Sequence, residues 1–148
     1  MELKIRQIEL DEIKLAVQVL NHIPEFDVVF YEASLHKRLL RAESILLIAE
    51  FAGKPVGCKV AYNRYFDGSI YSWLGGVLPP FRNQGIALSL LNALEKEAKR
   101  KMFSSIRLKT RNKHVDMLRF VVKNGFQITG FQEKSDLSES VIEMIKKW

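Results

Sequence analysis

The sequence predicts an α/β fold of the α+β kind, built around a mixed sheet. The predicted order of elements is β-α-α-β-β-β-α-β-α-β-β. Short segments of alternating or continuously apolar residues, separated by turn-forming residues, predict the strands. Three of these segments follow one another closely between residues 44 and 74, whereas later ones alternate with stretches of helical periodicity. We therefore expect antiparallel strands first and helical crossovers later.

The opening of the chain predicts one strand followed by two helices. Lys4 to Ile8 alternates charged and apolar residues, as a strand with one buried face does. A helix follows and ends before Pro24, and a shorter helix extends from Glu32 to Arg41. The apolar residues at helical spacing are Leu10, Ile13, Val17 and Leu20 in the first helix, and Leu35 and Leu39 in the second.

The next segment predicts three antiparallel strands. Ser44 to Ala49 is almost continuously apolar, and Gly53-Lys54-Pro55 turns it into a second strand from Val56 to Tyr62, a hairpin without a two-residue primed turn. Asp67-Gly68 is another turn and leads into Ser69 to Leu74. We expect a three-stranded meander.

The third strand of the meander ends at Gly75-Gly76-Val77. Paired glycines at a strand end are typical of a bulge or of the close approach of another backbone. The longest helix is predicted from Asn83 to Met102, and its apolar stripe predicts that it packs on the sheet. The stripe consists of Ala87, Leu90, Leu91, Leu94 and Ala98.

The last third of the chain predicts a strand, a helix and two further strands. Asn112 is a plausible N-cap for the helix, and Asn124-Gly125 is a typical C-terminal cap. The predicted strands are Ser105 to Lys109, Phe126 to Phe131 and Val141 to Ile145, and the helix carries Val115, Leu118, Val121 and Val122 on its apolar face.

Composition predicts one compact domain spanning residues 1–148. The chain is 47% hydrophobic, which at this length suffices for a core. No apolar run approaches the roughly 18 residues of a membrane span, and the start Met-Glu-Leu-Lys-Ile lacks a signal peptide's apolar stretch, so we expect a cytoplasmic protein. Cys58 is the single cysteine, and we expect neither a disulfide nor a metal site.

The charge of the chain favours an anionic partner. The formal net charge is +6 and the isoelectric point is about 9.5. Nucleic acid, an acidic surface and a polyphosphate cofactor would all satisfy that charge. The charge alone does not choose among them.

The segment from Val77 to Ala87 predicts an anion site at a strand-loop-helix transition. The first backbone N–H groups of a helix lack internal partners and lie at the positive end of its dipole. Gly85 and Ala87 keep the helix start free of bulk, so that a pyrophosphate could reach these N–H groups, and Arg82 adds positive charge. No Gly-Lys-Ser/Thr follows, so the segment is not a Walker A loop.

Within this segment, Arg-x-x-Gly-x-Ala after Val-x-Pro resembles the acetyl-CoA signature of the GNAT superfamily of N-acyltransferases. Lys123-Asn124-Gly125-Phe126 is similar to a later element of that family, and the predicted order of elements matches over nearly the whole chain. The resemblance implies a GNAT-like fold with a central sheet splayed open at Gly75-Gly76. It implies that acetyl-CoA is the co-substrate, its pyrophosphate held by the backbone N–H groups of Asn83, Gln84, Gly85, Ile86, Ala87 and Leu88.

The resemblance also implies acetyl transfer by direct attack of a primary amine on the thioester. Gly75, Gly76 and Val77 would pair with the pantetheine arm like an added strand, and the Val77 N–H would polarise the thioester carbonyl. Direct attack builds an oxyanion, which a fixed backbone donor stabilises. No protein nucleophile is needed, and no Gly-x-Ser-x-Gly elbow is present.

The sequence departs from the family where acids and bases are expected. Relatives usually carry a carboxylate in the strand before the signature, but here the polar candidates are Tyr71 and Ser72, with Glu25 and Asp27 from the loop after the first helix. Aromatic packing between sheet and helix is the favoured explanation of Tyr71.

The family's proton donor to the leaving thiolate is also missing. The tyrosine that many relatives use corresponds to Val121 here, so water, the amine proton or Tyr71 would have to serve. The family's asparagine is displaced as well: His114 falls at its position and Asn112 two residues earlier, and either could bind the cofactor in its place.

Two other functions are compatible with the sequence. Arg64, Tyr65 and Phe66 combine basic and aromatic residues, as a nucleic-acid-binding module does, but no recognised nucleic-acid motif is present. A sensor domain that binds acyl-CoA without chemistry would explain the missing tyrosine and carboxylate. The acceptor amine is expected to contact the loops Asn21 to Glu32 and Tyr62 to Asp67. The sequence does not determine the oligomeric state, and a homodimer is compatible with it.

Overall fold

A computed structural model describes residues 2–148 as one seven-stranded mixed sheet with helices on both faces. The sheet order is β1-β2-β3-β4-β5-β7-β6, and every neighbouring pair is antiparallel except β4–β5. The strands are β1 (Leu3–Ile8), β2 (Ser44–Phe51), β3 (Lys54–Tyr62), β4 (Ser69–Val77), β5 (Ser105–Arg111), β6 (Gln127–Gln132) and β7 (Val141–Lys147), and the helices are α1 (Lys14–Leu20), α2 (Glu32–Leu39), α3 (Ile86–Arg100) and α4 (Val115–Lys123). The predicted fold class and order of elements are confirmed.

Two apolar cores lie on opposite faces of the sheet. The first lies under α3 and α4 and includes Leu47, Leu90 and Val121. The second lies under α1 and α2 and includes Val17 and Leu35. Because neighbouring strand residues alternate between the two faces, the central strands β2 and β3 are buried almost throughout, which explains their nearly continuous apolar sequence.

Three local predictions are wrong, each for a physical reason. The β2–β3 hairpin turns at Ala52-Gly53, where both residues have positive φ as a type I′ turn requires, and Lys54-Pro55 already belongs to β3. Helix α3 begins at Ile86 rather than Asn83, because Asn83 and Gly85 are left-handed at φ 61° and 80°. Asn112 is not an N-cap: its side-chain amide donates to the Leu137 carbonyl at 2.9 Å, and His114 precedes α4 without a side-chain cap.

Candidate active site

The central feature of the site is an opening between β4 and β5. Their parallel pairing extends from Ser69–Ser105 to Ser72–Leu108, whereas β4 continues to Val77. Between those points Val60 pairs with Leu74 and Ala61 pairs with Ser72, so Trp73 is the extra residue of a β-bulge. A bulge bends and twists its strand, and here it accompanies the separation of β4 from β5.

The backbone of β4 presents hydrogen-bond donors to this opening. The Leu78 N–H donates to the Val56 carbonyl at 2.8 Å, so the neighbouring Gly57–Val77 pair is not directly hydrogen-bonded. In an antiparallel ladder the N–H groups of such residues point away from the partner strand. The N–H groups of Val77 and Gly75 therefore point away from β3 and toward the opening.

The loop that follows β4 provides a row of backbone donors at the start of α3. Among residues 2–148, no acceptor receives a hydrogen bond from the six successive N–H groups of residues 83–88, and α3 has no side-chain cap. Gly85 has φ 80°, and a Cβ placed there would meet no atom within 4 Å. Ile86 is buried and anchors the first turn, while Ala87 and Leu88 are exposed. The predicted anion-binding loop thus lies at a helix start whose N–H groups have no acceptor within residues 2–148.

Arg82 connects this loop to β4 and to the loop after α1. Its Nε donates to the Val77 carbonyl at 3.0 Å, and its two terminal nitrogens donate to the two Glu25 carboxylate oxygens at 2.8 Å each. The hydrogen bonds from Arg82 lower the pKa of the Glu25 carboxyl. Glu25 is therefore held ionised in an ion pair, which makes it a weak proton acceptor.

Gly76 lies under the same loop. A Cβ on Gly76 would meet the Ile23 Cδ1 atom at 2.8 Å, a distance that real Cβ contacts do not reach, so the loop after α1 packs directly on the glycine backbone. Asp27 on this loop also approaches Lys113, with 3.3 Å between Oδ2 and Nζ. The loop therefore contacts both sides of the opening.

Tyr71 lies on the face of the sheet covered by α1 and α2, in an aromatic and cationic cluster. The Arg64 guanidinium is 4.9 Å from its ring centroid, and the Arg38 guanidinium is 4.7 Å from that of Trp73. Burial raises the pKa of the Tyr71 hydroxyl, so the hydroxyl is a proton donor rather than a base. A pocket of about 200 Å³ beside Tyr71 is lined by polar residues that include Tyr65, Asp67, Arg107, Lys109, Thr129 and Glu143.

The other predicted site residues have surroundings of their own in the structure. Asn112 is fastened to the turn before β7, and Val121 is buried in the core under α4. Phe66 is exposed, whereas Arg64 packs on the faces of Tyr65 and Tyr71. Within residues 2–148 no group of acidic, histidine or cysteine side chains could hold a metal ion, and no helix there is both long and apolar enough to cross a membrane.

Sequence analysis missed Lys59, a buried lysine on β3. Its relative exposure is 8%, and it pairs across the ladder with Gly75. The charged residue interrupts an apolar strand, and that interruption was the available signal. Burial lowers the pKa of Lys59 to about 8.

Comparison with known proteins identifies the family. A model of the acetyltransferase (GNAT) family matches residues 9–126. The fold is similar to that of the ribosomal-protein-S18-alanine N-acetyltransferase from Escherichia coli, which is 15% identical, with a TM-score of 0.84 over 99% of this chain and 94% of that one. It is also similar to a GNAT acetyltransferase from Elizabethkingia anophelis with acetyl-CoA bound (20% identical, TM-score 0.77, 99% and 98% covered).

A third similar structure is the PaiA N-acetyltransferase from Thermoplasma acidophilum in complex with coenzyme A, 18% identical with a TM-score of 0.74 over all of both chains. No curated protein matches the sequence. The family model covers most of the chain, which confirms the resemblance noted at Val-x-Pro and Arg-x-x-Gly-x-Ala. The chain therefore belongs to the acetyltransferase (GNAT) family.

Proposed function

We propose that residues 1–148 act as one domain that transfers the acetyl group of acetyl-CoA to a primary amine by direct attack. One observation carries the proposal: an unpaired strand edge with outward N–H groups leads into a loop with six N–H groups that have no acceptor within residues 2–148. An extended, amide-containing arm ending in a pyrophosphate matches that arrangement from one end to the other.

The pyrophosphate is assigned to the backbone donors of residues 83–88. The exposed helix start and the open space at Gly85 support this assignment. Arg82 contributes as a positioning residue, because its guanidinium holds the Val77 carbonyl and is largely neutralised by Glu25. Asn112 is retained as a candidate contact on the β5 side of the opening, although its amide nitrogen already has a partner.

The pantetheine arm is assigned to the open edge of β4. Starting from the loop, the arm runs back along the strand and meets Val77 first and Gly75 second, about 7 Å further on. We assign the Gly75 N–H to the thioester carbonyl and the Val77 N–H to an amide of the arm, which reverses the role that the family resemblance suggested for Val77. Either donor would stabilise the developing oxyanion in the same way.

The acceptor amine is assigned to the face that carries Tyr71. The pocket beside it has both carboxylates and cations on its walls, which suits a small polar amine. Tyr71, protonated because of its raised pKa, is positioned to donate a hydrogen bond to the acceptor. Because Glu25 is held by Arg82, we assign removal of the amine proton to water rather than to a carboxylate.

Binding and turnover test the proposal in sequence. Coenzyme A should raise the thermal unfolding midpoint, because a ligand that binds only the folded state stabilises it. A panel of polyamine, amino acid, aminoglycoside and peptide acceptors should then contain one that releases free thiol from acetyl-CoA. Binding without turnover on any acceptor would support the sensor alternative instead, and a salt-sensitive complex with RNA or DNA that ignores coenzyme A would support the nucleic-acid alternative.

A further inference from the structure

Lys59 is a largely buried lysine without a counter-ion beside the open edge of β4, and its ammonium keeps contact with solvent, since no fully buried side-chain nitrogen within residues 2–148 lacks a hydrogen-bond partner. None of the ion pairs formed by residues 2–148 includes Lys59. Its side chain is on the α3 face, because Lys59 pairs with Leu47 of the core under α3, whereas neighbouring Cys58 belongs to the other core. Even partial burial of an unpaired ammonium costs free energy, so the position of Lys59 calls for a function.

The Lys59 side chain extends across Gly75. A Cβ on Gly75 would lie 3.1 Å from the Lys59 Cδ atom, so the lysine stem occupies the space that a larger residue would fill. Like Gly57–Val77, Lys59–Gly75 is a non-hydrogen-bonded pair of the antiparallel ladder. Side chains approach one another most closely in pairs of this kind. Beyond Gly75 lies the opening, since β4–β5 pairing ends at Ser72.

The groups around Lys59 are uncharged. Its cross-strand neighbours are Leu47 and Gly75, and α3, which covers this face, presents Ile86 and Leu90 to the sheet. Cys58 is the titratable neighbour that influences Lys59, and burial raises the pKa of its thiol to about 12. No carboxylate is therefore positioned to neutralise the ammonium.

We propose that Lys59 is the acid that protonates the coenzyme A thiolate as it leaves, a role that rests on the proposed acetyl transfer. The acceptor nitrogen bonds to the carbonyl carbon, the C–S bond breaks and its electron pair goes to sulfur. A proton moves from the Lys59 ammonium to sulfur, which gives the thiol and a neutral amine. The acceptor nitrogen releases its proton to water, and Lys59 regains one from water before the next cycle.

The two acidities are well matched for this transfer. The pKa of Lys59 is lowered to about 8 by burial, and a free thiol has a pKa of about 8.5. Proton transfer between groups of similar pKa is close to balanced in free energy, and the lysine is still mostly protonated at neutral pH. Val121, buried under α4, offers no proton.

Titration of the bound thiol tests the proposal without an acceptor. The thiolate of coenzyme A is followed by its ultraviolet absorbance on the saturated protein, with desulfo-coenzyme A complexes as blanks. A neighbouring ammonium should lower the thiol pKa by about one unit or more relative to free coenzyme A. Lys59→Met should abolish the lowering and Lys59→Arg should keep it. Lys147→Met, which removes an exposed lysine of β7, should titrate like the parent.

Calorimetry with coenzyme A distinguishes a failure of the proposed acetyl transfer from a failure of the role of Lys59. If the parent does not bind coenzyme A, the proposed function fails and this role fails with it. If the parent and Lys59→Met both bind and their thiols titrate at the same pH, the role of Lys59 is refuted while the proposed function stands. As a second measurement on the parent alone, NMR titration of the lysine side chains should show a higher Lys59 pKa with coenzyme A than with desulfo-coenzyme A, and equal values would refute the role.

Discussion

Arg82 and Glu25, 57 residues apart in sequence, form a two-point ion pair with both nitrogen–oxygen distances at 2.8 Å. The pair joins the start of the loop before α3 to the loop after α1, while the Arg82 Nε holds the Val77 carbonyl at the end of β4. It therefore fixes the two segments that border the opening between β4 and β5. A bidentate guanidinium–carboxylate pair adds geometric specificity as well as energy.

If Arg82 acts through Glu25, the two residues should be energetically coupled. Arg82→Ala and Glu25→Gln should each weaken acetyl-CoA binding, by a few-fold to about tenfold, and the double variant should bind no worse than Arg82→Ala. Asp27→Asn, which removes an acid of the same loop without touching Arg82, is the control. Calorimetry measures the binding free energies of the parent, the two single variants and the double variant. Strictly additive losses of binding free energy would show that Arg82 contacts the phosphates independently of Glu25.

Gly85→Ala tests the proposed pyrophosphate contacts of residues 83–88, with Gly53→Ala as the matched control. Gly53 and Gly85 have nearly the same φ, 77° and 80°, and a Cβ on either meets no atom within 4 Å. Both alanine variants should therefore lose about 1 kcal/mol of stability from left-handed strain. Only Gly85→Ala should weaken coenzyme A binding, by about tenfold or more, because its methyl group stands among the phosphate donors. Equal affinity of the two variants for coenzyme A would remove the pyrophosphate from this loop.

Gly76→Ala tests the packing of the loop after α1 on β4. The new methyl group would overlap Ile23 Cδ1, and overpacking of this kind costs about 1 to 3 kcal/mol. Ile23→Val removes that Cδ1 atom, so the double variant should recover much of the loss. Chemical denaturation measures all three proteins, and a Gly76→Ala variant as stable as the parent would contradict the close contact.

Lys59→Met should stabilise the protein at neutral pH. The pKa of Lys59 is lowered from 10.5 to about 8 by burial, so between these values the unfolded chain binds the proton that the folded protein has released. Stability of the parent therefore rises with pH across this window. The variant should gain at most about 3 kcal/mol at pH 7, and the gain should shrink as the pH rises from 8 to 10. Urea denaturation of Lys59→Met and Lys147→Met at several pH values checks this, and no gain at pH 7 would contradict the burial of an unpaired ammonium.

The order of elements and the glycine-containing turn ahead of α3 were predictable because their signals are local. Apolar periodicity identifies each strand and helix, and the glycine at residue 85 marks a left-handed position ahead of a helix. The β2–β3 turn was placed one residue late, because Gly-Lys-Pro is the stronger turn signal and alanine seldom takes the positive φ that Ala52 has.

The side-chain chemistry was less predictable because it depends on contacts between distant residues. The sequence offered Glu25 as a base, and only the fold shows that its carboxylate is held by Arg82. Likewise, the importance of Lys59 depends on its ladder partner Gly75 and on the end of β4–β5 pairing at Ser72. Neither fact follows from the local pattern around a lysine in a strand.

Amide NMR of the labelled protein titrated with acetyl-CoA tests most directly the claim that the cofactor lies along β4 and the start of α3. The account predicts the largest changes at the backbone N–H groups of Gly75, Val77 and residues 83–88, with small changes in the exposed segment from Arg64 to Phe66. Saturable changes concentrated at residues 64–66, or spread without preference over basic surface residues, would contradict it.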